Sequence, residues 1–75
     1  MEEKEELNQK LQEELHWVRY RQKMLDIIEK KLYQMKETAE EATGNIPQKE
    51  REELNRKIKY LEMQVNALDE ESKHQ

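Results

Sequence analysis

Glycine and proline each occur once in this chain, at Gly44 and Pro47, and together they fix where it can turn. They are the two strongest breakers of a helix interior. The stretches on either side contain neither, so each can run as one long helix. Gly44 sits where a helix end commonly turns left-handed, which favours glycine. Asn45 is a good N-cap for the next helix, with Gln48 three residues on as its reciprocal partner. Pro47 falls in the first turn, where its missing N–H costs nothing. A connection of this length makes the helices antiparallel neighbours. The expected architecture is all-α: helix 1 over about 2–43, a turn at 44–47, and helix 2 over about 47–72.

Periodicity says which faces meet. In the second half of helix 1, Leu25, Ile28, Leu32, Met35, Ala39 and Ala42 alternate steps of three and four, a heptad seam. In helix 2, Leu54, Ile58, Leu61, Val65 and Leu68 do the same. Zipping the chain about Asn45 sets Met35 against Leu54, Leu32 against Ile58, Ile28 against Leu61 and Leu25 against Val65. All of these facing pairs are apolar. Beyond Leu25 the match weakens: the next seam position, Arg21 or Gln22, faces Leu68, and Val18 faces Ser72. The sequence therefore predicts an antiparallel coiled-coil hairpin. Glu6–Lys10, Asp26–Lys30, Glu52–Arg56 and Glu53–Lys57 have the favourable acid-before-base order at i,i+4, each contributing a few tenths of a kcal/mol. Residues 70–75 carry no apolar side chain and are expected to fray.

Helix 1 outruns helix 2. Its first residues project past the hairpin by about fifteen positions, or roughly 20 Å at 1.5 Å per residue. Leu7, Leu11, Leu15 and Val18 follow at steps of 4, 4 and 3, closer to a straight stripe than to a heptad. A second stripe, Trp17, Tyr20, Met24 and Ile27, lies about 100° round from the seam. One partner helix cannot cover both. The stripe is nearly palindromic about Gln22, which suits a twofold contact. A homodimer is expected on this ground, with Leu7, Leu11, Leu15, Trp17, Tyr20, Met24 and Ile27 at the interface and a four-helix bundle in the middle.

Chemistry finds little purchase. Glu13 and His16 have the Glu-x-x-His spacing of di-iron bundles, but there is one copy and it falls outside the seam. Without cysteine, and with only two histidines, a zinc cluster or disulfide is not expected. There is no phosphate-binding glycine loop and no Ser/His/Asp set. The expectation is no enzyme and no cofactor. The segment from Trp17 to Lys23 interleaves aromatic and basic residues as a nucleic-acid stripe would, but a net charge of −4 argues against general attraction to phosphate. Lys30-Lys31 and Arg56-Lys57-Lys59 have acidic neighbours and read as mixed helix surface. No apolar run approaches membrane-spanning length. The acidic opening is unlike a secretory or mitochondrial leader, so the cytoplasm is the expected compartment. The function that follows is structural assembly through self-association. The alternative is an adaptor or chaperone-like module that binds a partner helix. A nucleic-acid-associated coiled coil is the third reading.

Overall fold

The computed structural model describes residues 2–73; Met1, His74 and Gln75 lie outside it. Two helices and no strand make up the described residues: α1, Glu2–Ala42, and α2, Gln48–Lys73. Glu2, Glu3 and Glu5 occupy the first turn of α1, where the positive end of the helix dipole favours carboxylates. α2 returns along α1 as a hairpin. Tyr20 meets Glu71, Arg21 meets Asp69 and Lys31 meets Gln64, so contacts move toward the turn from both sides together. The result is a rod of 70 × 15 × 9 Å. Its radius of gyration is 19.5 Å, against about 11 Å for a compact chain of this length.

The turn is made differently from the expectation. Gly44 does not adopt a positive φ. α1 instead tightens at its end, with Thr43 N–H donating to the Glu40 carbonyl and Gly44 N–H to that of Glu41. The Thr43 hydroxyl also donates to Glu40, at 2.7 Å. Ile46 N–H then donates to the Gly44 carbonyl at 3.0 Å, a γ-turn centred on Asn45. The carbonyl of Pro47 accepts the first helical bond of α2, from Arg51 N–H. Pro47 thus stands at the cap position, one residue before the helix, and Asn45 makes no capping bond. The Arg51 guanidinium donates to the Gly44 carbonyl and ties α2 back across the turn.

The seam on α2 follows its apolar stripe. Leu61 is buried, and Leu54, Ile58, Val65 and Leu68 are half-buried. Ser72 extends the same spacing and is fully buried. α2 stays helical through Lys73, beyond the point where fraying was expected. Ser72 donates to the Leu68 carbonyl and accepts from Arg21, and Lys73 pairs with Glu70 at 3.0 Å. The Lys73 ammonium is raised above its ordinary pKa chiefly by the hydrogen bond to Glu70 and by that carboxylate's charge.

On α1 the seam is rotated from the expected one. The residues turned toward α2 are Trp17, Arg21, Met24, Ile28, Lys31, Met35, Thr38 and Ala42, again at alternating steps of four and three. Ile28, Met35 and Ala42 belong to the expected seam. Leu25 and Leu32 do not face inward: they are 44% and 49% exposed, and Val18 and Ala39 are exposed with them. The stripes 25/32/39 and 24/31/38 are one residue apart and compete for the same partner. The orientation adopted half-buries Trp17, Met24 and Ile27 against α2 and leaves the leucines at the edge. It also brings polar residues inside, and they are satisfied. Thr38 donates to the Gln34 carbonyl at 2.7 Å, and Lys31 donates to Gln64 at 3.0 Å. The exception is the Trp17 indole N–H, which is buried with no acceptor among the described residues.

Candidate functional site

Among the described residues, the buried apolar side chains are Ile28 and Leu61, at 8% and 5% exposure. Far more large apolar side chains lie open. On α1 these include Leu7, Leu11, Leu15, Val18, Leu25 and Leu32. The chain exposes 6642 Å² in all, where a compact monomer of its 9.3 kDa mass exposes about 5,000 Å². The surplus, roughly 1,600 Å², is of the order that each chain of an obligate dimer buries.

The open residues on α1 are ordered. Leu11, Val18, Leu25 and Leu32 recur at every seventh position, and Leu7 lies one turn before Leu11. A strict seven-residue repeat drifts only about 20° per heptad on a straight helix. These side chains therefore form one stripe down one side of α1. Its C-terminal half, at Leu25 and Leu32, runs beside α2. There it shares the edge of the hairpin with Ile58 and Val65, which helical spacing turns toward that side. A shallow hollow lined by Trp17, Val18, Arg21, Gln22 and Leu25 marks the junction of the two halves. The N-terminal half lies on an arm, residues 2–16, beyond the last cross-hairpin contacts at Tyr20 and Arg21.

The seven residues expected at a dimer interface divide into two groups. Leu7, Leu11 and Leu15 are exposed on the arm. Trp17, Met24 and Ile27 are half-buried, and Tyr20 donates its hydroxyl to Glu71 at 3.5 Å. Three members of the palindromic stripe are thus half-buried while Tyr20 stays exposed, and the leucine stripe lies on the outside.

Charge along α1 is segregated in a way that periodicity alone does not reveal. Residues 2–16 carry Glu2, Glu3, Glu5, Glu6, Glu13 and Glu14 against Lys4 and Lys10, a net −4 with His16 neutral. Residues 17–36 carry Arg19, Arg21, Lys23, Lys30, Lys31 and Lys36 against Asp26 and Glu29, a net +4. The second block stays positive even with Arg21 engaged by Asp69. Counting charge in windows of about fifteen residues finds this signal in the sequence.

The other candidate constellations do not assemble. Glu13 and His16 are both exposed, and no group of three or more potential ligands among the described residues could hold a metal ion. In the aromatic–basic segment, Trp17 and Arg21 are half-buried against α2, while Arg19, Tyr20 and Lys23 are exposed, Tyr20 with its hydroxyl donating to Glu71. No described helix is long and apolar enough to cross a membrane. Compared with protein families, curated proteins and solved structures, the chain matches none.

Proposed function

We propose that the protein is an antiparallel coiled-coil hairpin that acts as a structural or assembly element by binding copies of itself through α1. The observation that carries this reading is the leucine stripe of α1, exposed along the arm and along the open edge of the hairpin. The alternating four- and three-residue spacing of both seams supports the coiled-coil geometry. Contiguous apolar surface of this extent marks an interface. On this reading the protein is not an enzyme, takes no cofactor and works in the cytoplasm. The test is mass as a function of concentration, by light scattering on a sizing column. The expected result is twice the 9.3 kDa chain mass at micromolar concentration. A mass of one chain throughout the range overturns the reading.

A second reading is an adaptor whose partner is a helix of another protein. It is favoured by Tyr60 and Met63, one helical turn apart and exposed on α2. They lie off the leucine stripe, so self-association through α1 leaves them open. The nucleic-acid reading draws less support, because Trp17 and Arg21 are half-buried in the hairpin and the net charge of −4 opposes attraction to phosphate.

A further inference from the structure

We propose that two copies pair antiparallel through the leucine stripes of α1, on a twofold axis that passes between Arg21 and Gln22, so that each arm packs along the open edge of the other copy's hairpin. This rests on the self-association proposed above and specifies its direction and register. The arm and the edge carry two halves of one stripe, and neither half is covered within its own chain.

Apolar spacing selects the register. With the axis between Arg21 and Gln22, Leu11 of each copy comes level with Leu32 of the other, and Val18 with Leu25. Every member of the seven-residue repeat then meets another member. Leu7 comes level with Lys36, whose aliphatic stem can lie over it. Moving the axis to Val18 sets Leu32 against Lys4 and Leu7 against Glu29. Moving it to Leu25 sets Leu11 against Ala39 and Leu7 against Thr43, past the end of α1. Two further features of α1 fall on the selected axis. It lies at the midpoint of Glu2–Ala42, so the two helices overlap along their whole length and each arm ends level with the turn of the other copy. The hollow lined by Trp17, Val18, Arg21, Gln22 and Leu25 straddles it and so meets its own copy, as an isologous contact requires.

Charges within the stripe select the direction. At about 100° per residue, Glu14, Glu29 and Lys36 lie within roughly 40° of the line through Leu25. Parallel pairing in register sets each of them against its own copy, a like-charge contact at every one of those levels. It also lays the net −4 arm beside itself. Antiparallel pairing lays the arm beside residues 27–41, where Glu29, Glu37, Glu40 and Glu41 stand against Lys30, Lys31 and Lys36, a net −1. Glu14 comes level with Glu29 of the other copy, but the two lie on opposite sides of the stripe. A twofold antiparallel pair brings each side of α1 onto the same side of its copy, so these carboxylates are held apart. Lys4 and Glu40 share a side and come within one residue of level.

The test uses the full chain, which has no cysteine of its own. Single cysteines are placed at exposed positions of α1, and circular dichroism checks that each variant remains helical. Gln22→Cys stands about one residue along from its copy across the axis, within disulfide reach. Mild oxidation in dilute protein should convert most of it to a covalent dimer. Val18→Cys lies roughly 10 Å along the helix from its copy and should stay uncoupled. Leu11→Cys and Leu32→Cys should each stay uncoupled alone and cross-link when mixed. If the wild-type chain sediments as a monomer at every concentration, the self-association reading fails and this inference with it. If the wild type dimerises, three results overturn the arrangement alone: Leu11→Cys cross-linking by itself, which marks parallel pairing; Val18→Cys cross-linking in place of Gln22→Cys, which marks another register; or no cross-link from either Gln22→Cys or the mixture, which marks another surface.

Discussion

Arg21 reaches across the hairpin to Asp69, with its Nη2 2.8 Å from the carboxylate oxygen. Its Nη1 also donates to the Asp69 carbonyl and to the Ser72 hydroxyl. One guanidinium thus ties down the last turn of α2, a segment whose sequence holds no apolar anchor beyond Leu68. The side chains are 22% and 43% exposed, so solvent screening keeps the ion pair's own contribution to about 0.5–1 kcal/mol. A double-mutant cycle on Arg21→Ala and Asp69→Asn in urea should return a coupling of that size. It should be accompanied by faster amide exchange over the last turn of α2. Zero coupling with unchanged exchange would show that the clamp does not hold the terminus.

The seam and the leucine stripe should respond differently to truncation. Leu61→Ala removes a buried side chain at the centre of the hairpin and should cost about 2–4 kcal/mol. That loss should appear at every protein concentration. Leu32→Ala, at 49% exposure, should cost much less in dilute protein and progressively more as concentration rises. Urea melts at two concentrations a hundredfold apart make the comparison. A concentration-independent loss for Leu32→Ala as large as that for Leu61→Ala would place Leu32 in the hairpin seam.

Gly44 should tolerate a side chain. Its φ is not positive, and an added Cβ would lie 3.6 Å from the Glu41 carbonyl oxygen and 3.9 Å from Ile46 Cγ2, ordinary contact distances. Gly44→Ala should therefore be neutral or stabilise by about 0.4–1 kcal/mol, by narrowing the freedom of the unfolded chain. A loss of stability in a thermal melt followed at 222 nm would point to a left-handed turn.

The two-helix architecture of the described residues was legible because one glycine and one proline interrupt an otherwise helix-forming chain. α2 was easy to orient because it has a single apolar stripe. α1 was not, because it carries two stripes one residue apart that share Ile28, Met35 and Ala42. Counting heptad positions favours Leu25, Leu32 and Ala39. The rotation adopted places Trp17 and Met24 there instead. Lys31 and Thr38 were hidden for a related reason. A seam position held by a polar residue looks like solvent-facing surface until its hydrogen-bond partner is known. The same rotation exchanged the expected interface residues, drawing Trp17 toward α2 and leaving Leu25 outside.

Sedimentation equilibrium of Leu25→Glu/Leu32→Glu beside the wild type at micromolar concentration tests whether the leucine stripe of α1 is the self-association surface. The wild type should be a dimer and the variant a helical monomer of 9.3 kDa, as both positions lie on the open edge of the hairpin. A variant that keeps the wild-type dimer mass would contradict that assignment.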